Sequence, residues 1–238
     1  MKYDVIEYVP VFENGIGDLL VGELDPLIEK PVPALTFLSK QSKLDSFSCP
    51  AVVDYLKNVY FITSPFDFSI RRLRNGNFEI FNPKDPNINL SQFLKVGVPE
   101  TQKLYGLPMF TMYFQFTFIN KDNNVIMEVI DPPLFHNGLT NITGEFNISK
   151  WIRPTNFCCF MDPNIEQLNI ERGDPLYAVR FRSETNNFKL VEVLDKERSE
   201  AILAEQRKAV SIKKYVPGLK LYQMYDLFKK RMTTLWRT

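Results

Sequence analysis

Between Met109 and Ile119 the chain reads "MFTMYFQFTFI", and this alternation limits the fold more than any other stretch. Phe110, Met112, Phe114, Phe116 and Phe118 fall on one side of an extended backbone. Thr111, Tyr113, Gln115 and Thr117 fall on the other, the period of two expected of a half-buried strand. The pattern predicts a strand that "NKDNN" turns around and "VIMEVI" answers as an antiparallel partner.

Much of the chain follows the same idiom. "SIRRLRNGNFEIF" contains Asn75-Gly76, the pair best suited to a type I′ turn because both central residues need positive φ, so a hairpin is predicted there. "NITGEFNI", "NFCCFM", "EQLNI" and "LYAVRF" are further short strands, divided by turn residues at the spacing of sandwiches and barrels. In "IERGDPLYAVRF" the Arg-Gly-Asp-Pro turn reads as a hairpin at the rim of the β body, with Gly173 supplying the positive φ. Prolines at 31, 33, 50 and 65 rule out one long helix near the start. A short helix from Pro50 to Asn58 and a strand from Val59 to Thr63 fit instead.

From Asp195 the character changes. "DKERSEAILAEQRKAVSIKKY" has no Gly or Pro, opens with acids and ends with lysines, the order that complements a helix dipole. Pro217-Gly218 interrupts it, and Leu221, Met224, Tyr225 and Phe228 then recur at helical spacing. The expected fold is mainly β. An antiparallel sandwich or jelly-roll-like body spans residues 1–194, and a basic two-helix C-terminal appendage spans 195–238.

A hydrophobic fraction of 45%, with 20 Phe and 10 Tyr, supplies the apolar surface that a folded core needs. No apolar run is long enough to span a bilayer, and "MKYDVIEYVP" carries acids where a signal peptide needs a basic and then apolar stretch. A soluble protein kept inside a cell is the expectation. Cys49, Cys158 and Cys159 are too few and too closely placed for a disulfide framework, so three free thiols are expected.

The formal charge of +1 conceals an asymmetry. Residues 196–238 hold 11 Lys and Arg against 4 Asp and Glu, a net of +7, whereas the rest of the chain nets −6. Such a segment suits an acidic partner, nucleic acid or the acidic body of its own protein, although a solvated helix face is the plain alternative. Lys213, Lys214, Lys229, Lys230 and Arg231 are its candidate partner-binding residues. A protein partner or self-association through the C-terminal helices is expected first, with nucleic acid a weaker option.

His136 is the only histidine. Three-histidine and two-histidine-carboxylate metal sites therefore need more imidazoles than one chain carries, and the cysteine spacing fits no zinc ribbon. No Gly-x-Ser-x-Gly elbow or glycine-rich phosphate loop is present. No catalytic residue, metal or cofactor is assigned. Asp67, His136, Trp151, Arg153, Asp174 and Arg180 remain as candidate ligand-binding residues, with an Asp67–Arg153 or Asp174–Arg180 pair beside Trp151 as the floor of an amphipathic pocket. The structural alternative places Trp151 in the core, lets the Arg–Asp pairs satisfy buried charges and bonds His136 to loop backbone. The Asn-x-Ser/Thr matches at Asn89, Asn141 and Asn147 are read as chance.

Cys49-Pro50 with Asp54-Tyr55, then "SPFDFSI", "TGEFNISKWIRP" and "ERGDPLYAVRF", run in an order that resembles an uncharacterised family of tailed-phage (marine) and bacterial β-rich proteins, over roughly residues 30 to 185. That resemblance implies a phage-encoded or bacterial origin without an assigned activity, and a location in host cytoplasm or virion. Gly138 to Phe181 also resembles the β-clip fold of dUTP-hydrolysing enzymes. There "GLTNITGEF" has Thr and Asn where that family places its catalytic Asp, so shared strand topology is implied rather than activity. A cupin-like relation rests on the same turn and fails on the histidine count. The leading expectation is a non-enzymatic binding or assembly protein. The alternative is a small-molecule-binding or metal-dependent enzyme with its pocket at the Arg-Gly-Asp-Pro turn.

Overall fold

The computed structural model describes residues 3–11, 29–41, 49–74, 77–84, 90, 94–96, 109–112, 115–121, 124–155 and 157–213. In chain order the first strands are β1 (Asp4–Val11), β2 (Val32–Pro33), β3 (Val59–Thr63), β4 (Phe68–Arg72), β5 (Phe78–Phe81), β6 (Leu94–Val96) and β7 (Met109–Met112). There follow β8 (Gln115–Ile119), β9 (Ile126–Ile130), β10 (Leu139–Asn141), β11 (Gly144–Asn147), β12 (Phe157–Met161), β13 (Gln167–Ile170), β14 (Pro175–Arg182) and β15 (Phe188–Glu192). The helices are α1 (Ala34–Gln41), α2 (Pro50–Leu56) and α3 (Lys196–Lys213). The chain is mainly β, as its alternation requires.

Among the described residues, four sheets share one core. Their strand orders are β11-β9-β14-β3-β2, β13-β4-β5, β10-β12-β7-β6 and β15-β1-β8. Strand alternation sends Tyr177, Val179 and Phe181 of β14 inward, where they join Ile62, Met127, Phe68, Phe110 and Phe118 from all four sheets. The intervening residues face outward. Ala178, Ile130, Val59 and Phe61 on that outer face are covered by Ala34 and Leu38 of α1 and Leu56 of α2. Pro50 opens α2, where its missing N–H costs no helical bond.

The Arg-Gly-Asp-Pro turn is not a hairpin, because β13 and β14 pair with different strands. β13 pairs with β4, and β14 pairs with β3 and β9. The two-stranded ribbon β3–β14 continues as β4–β13 around a corner at which residues 64–67 face residues 171–174. Gly173 N–H donates to the Ser64 carbonyl and Ser64 N–H to the Asp174 carbonyl, both at 2.8 Å, so the pairing survives the bend. Gly173 does hold the expected positive φ, at +91°. The hairpin expected around Asn75-Gly76 forms as β4 against β5, although those two residues lie outside the described ones.

The alternating stretch 109–119 also differs from the single strand its pattern predicts. β7 lies beside β6 and β12, whereas β8 lies beside β1. The expected pair of "MFTMYFQFTFI" with "VIMEVI" does not form, since β9 lies between β14 and β11. Phe110, Phe116 and Phe118 are all buried as the period demands, so the core face is conserved while the strand changes sheets. Among the described strands one pairing departs from the antiparallel rule: β1 and β15 run parallel, from Asp4 opposite Phe188 to Tyr8 opposite Glu192.

The first C-terminal helix forms where expected. α3 lies across β1 and β8, with Ile202 packed on Val9, Ile119 and Ile152. Beneath it the buried Thr117 hydroxyl donates to Gln206 Oε1 at 2.5 Å, and Arg198 bonds Glu7. Thr117 is thus sealed by the helix rather than left to water. The second helix expected, from Leu219 on, lies outside the described residues.

Two glycines separate backbone strain from crowding. A Cβ on Gly138 (φ +78°) would sit 2.7 Å from Ile165 Cδ1 and 2.9 Å from Leu168 Cδ1, whereas one on Gly173 would meet nothing within 4 Å. In urea unfolding, Gly173→Ala should cost about 1 kcal/mol for the left-handed backbone alone. Gly138→Ala should cost about 2–4 kcal/mol, because overpacking adds to the same strain.

Candidate functional site

The corner of the ribbon is where candidate residues converge. Asp67 follows "SPF" at the end of the β3–β4 bend; its Oδ1 accepts the Arg172 N–H at 3.0 Å and its Oδ2 lies 3.0 Å from Lys84 Nζ. Both contacts favour the ionised form. The Arg172 N–H bond foremost, with Lys84 in support, lowers the Asp67 pKa from the ordinary carboxylate value. Across the bend, Asp174 Oδ2 accepts the Glu171 N–H at 2.9 Å and closes its own turn. Burial raises the Asp174 pKa, and the like charges of Glu171 and Asp67 raise it further against the pull of that N–H bond. Two neighbouring carboxylates are therefore displaced in opposite directions.

His136 lies in the exposed loop that reaches the same end of β14. Its neighbour Asn137 donates from Nδ2 to the Pro175 carbonyl at 2.7 Å and accepts the Leu139 N–H at 3.0 Å. In this loop Asn137 makes the backbone contacts expected of the histidine, and the His136 side chain is exposed. Leu134 nearby holds φ +60° with 68% of its surface exposed.

The other candidates lie elsewhere. Arg180 lies on β14, six residues beyond Asp174 in the turn before it, about 20 Å away at the strand rise. The expected Asp174–Arg180 pair does not form. Arg180 is directly opposite Glu128 on β9, and its Nε and Nη2 reach Glu128 Oε2 at 3.0 and 2.5 Å while Tyr55 of α2 covers the guanidinium at 5.3 Å. Sequence reasoning missed Glu128, although a single acid inside the apolar run "VIMEVI" was the available signal. Arg182 on the same face bonds Glu145 of β11.

Trp151 and Arg153 form a third group. A turn built on Asn147 positions them: Asn147 Oδ1 accepts the Ser149 and Lys150 N–H groups, and its carbonyl accepts the Trp151 N–H at 3.0 Å. Trp151 is buried, as the structural alternative holds, and packs at 6.5 Å against Phe146. Arg153 lies over both rings, at 5.0 Å from Trp151 and 5.1 Å from Phe146, instead of pairing with Asp67. Cation–π contact and a bond to the Pro154 carbonyl hold it there.

Asn141 and Asn147 are both buried and bonded within the fold, to Asp131 and the Leu176 carbonyl in one case and to the turn in the other. All three cysteines are free, with Cys158 half-buried and Cys159 fully buried on successive positions of β12. Among the described residues no group of three or more His, Cys, Asp or Glu is placed to hold a metal ion. Nor is any described helix long and apolar enough to cross a membrane. Lys214, Lys229, Lys230 and Arg231 lie outside the described residues, and Lys213 is the last residue of α3.

The fold and these contacts define a mainly β protein whose candidate charges tie strands together at three separate places. No protein-family model matches the chain, and no curated protein matches it.

Opposite pKa displacements give opposite variants. Asp67→Asn should cost about 1–2 kcal/mol at pH 7, and the deficit should vanish as pH falls below about 4 through the lowered folded-state pKa. Asp174→Asn should cost nothing at pH 7, since it removes a penalised charge. Relative to that variant the wild type should gain stability as pH falls through the raised pKa. Chemical denaturation at a series of pH values reads both.

Separation of the groups has its own signature. In double-mutant cycles Arg180→Ala with Glu128→Ala should show coupling of about 1 kcal/mol, while Arg180→Ala with Asp174→Asn should add to within about 0.5 kcal/mol.

Proposed function

We propose that this is a non-enzymatic binding or assembly protein of the kind tailed phages encode, acting in host cytoplasm or virion and associating through its basic C-terminal segment. The observation that carries this reading is the occupancy of the candidate charges. Asp67 is spent on Arg172 N–H and Lys84, Arg180 on Glu128, and Arg153 on two aromatic rings. Each ties one strand or bend to another, the work of a scaffold. The segment 196–238, at +7, is opposite in sign to the remainder at −6, which supports association with a second copy of the same chain. The motif order that resembles phage proteins supports the origin, and the mainly β sheets suit the sandwich or jelly-roll-like frame such proteins use.

A second reading has one observation in its favour. Asp67 and Asp174 carry oppositely displaced pKa values at one bend, the pattern that assigns an acid and a base in a small-molecule enzyme. Their bonds to backbone N–H groups are equally the means by which the corner is closed.

Native mass spectrometry of the full-length protein separates the two. The assembly reading expects a defined oligomer of bare polypeptide that dissociates with added salt. It also expects Lys229→Glu, Lys230→Glu and Arg231→Glu together to shift the population to monomer. A monomer carrying a stoichiometric extra mass, lost in Asp67→Asn, would replace it with the ligand-binding reading.

A further inference from the structure

Two adjacent arginines on β4 have different surroundings. Arg71 faces outward, where its Nε and Nη2 bond Glu79 directly across the hairpin and its guanidinium lies 5.2 Å from the Phe81 centroid. Arg72 falls by alternation on the inward side, in line with the buried Phe68 and Ile70. Its guanidinium lies 5.5 Å from the centroid of Phe78, which packs edge-on against Phe110 at 5.1 Å. Arg72 Nε and Nη2 are buried and meet no hydrogen-bond acceptor among the described residues. Glu166 is bonded to Arg72 through its carbonyl at 2.8 Å, yet its exposed carboxylate does not reach those two nitrogens.

A guanidinium cannot shed its charge when buried, so its unmatched donors are a standing cost. The edge formed by Nε and Nη2 is the fork that accepts a carboxylate or phosphoryl group side-on. Arg71 and Arg180 each use that edge to hold a glutamate. Arg72 keeps the same edge under cover beside an aromatic wall, at the last residue of its strand. Exposed Leu73 and Arg74 follow, so the position borders solvent and carries a second cation.

We propose that Arg72, walled by Phe78, is an oxyanion-binding site that takes the carboxylate or phosphoryl group of a small anionic ligand. Binding matches the donors that the fold leaves without acceptors. It requires no part of the assembly reading.

Thermal unfolding of the full chain tests it, with inorganic phosphate or acetate added at millimolar concentration against chloride of equal ionic strength. The wild-type Tm should rise by about 3–6 °C per tenfold of the effective anion above its Kd. Arg72→Met should start no lower than wild type in chloride and should not respond; Arg72→Lys, which keeps the charge and loses the fork, should respond far less than wild type. A response to phosphate alone marks a phosphoryl ligand, and one to acetate alone a carboxylate. No wild-type response to either anion overturns the proposal, and so does an equal response in the variants. If Arg72→Met does not fold, Arg72→Lys and the phosphorus-31 line width of phosphate mixed with wild type decide by the same standard.

Discussion

The structure depends on β14 being paired on both sides while its strand partner changes course with it. Between β3 and β9 it is paired on both sides from Ala178 to Arg180, and its inward Tyr177, Val179 and Phe181 are completely buried. A strand so placed cannot bend alone without stranding buried N–H and C=O groups. Both strands of the ribbon therefore turn at the same level, and the bend is stitched by Ser64, Gly173, Asp174 and Asp67. Only a residue tolerant of positive φ fits at position 173, and only a carboxylate at 67 both reaches the Arg172 N–H and draws in Lys84. The turn that looks like a loop tip in sequence is a shared elbow.

The sheet built from β15, β1 and β8 is closed by other means. Its inner face contributes Ile6, Tyr8, Phe116 and Phe118 to the common core, and its outer face needs a cover over Val9 and Ile119. α3 supplies that cover with few apolar side chains, of which Ile202 and Ala209 are fully withdrawn from solvent. Gln206 lies between them on the same face and meets Thr117, so a buried polar bond sets where along β8 the helix rests. The strand is consequently buried on both sides at Thr117, which does not mark a wet face. Joining β1 to β15 in parallel sets the first described strand beside the last, with Asp4 accepting bonds from the Ser183 and Thr185 hydroxyls.

Local signals in the sequence were legible wherever the determining chemistry was local. The short helix at Pro50, the strand at Val59, the hairpin around Asn75-Gly76 and the helix after Asp195 all rest on caps, turn residues or periodicity, and all are present. Strand partnership was not legible, because a period of two says which residues face the core but not which sheet they join. Residues 109–119 keep one buried face through a change of sheet, and β8 and β9 follow each other in sequence without pairing. The same blindness affected the candidate pocket: Asp174 and Arg180 are close in sequence yet separated by the extended run of β14, where six residues mean distance rather than contact.

Parity along each strand decides what an arginine meets. Arg180 and Arg182 occupy alternate positions on the outer face of β14, so glutamates of β9 and β11 on that face come within reach. Arg71 has the same relation to Glu79 of β5. Arg72 is one residue later, which turns it to the core side, and there the residue opposite is Phe78. A ring face offers a guanidinium attraction for its flat side but no acceptor for its N–H groups. The pairing rule that satisfies the other three arginines thus leaves the Arg72 fork without an acceptor among the described residues.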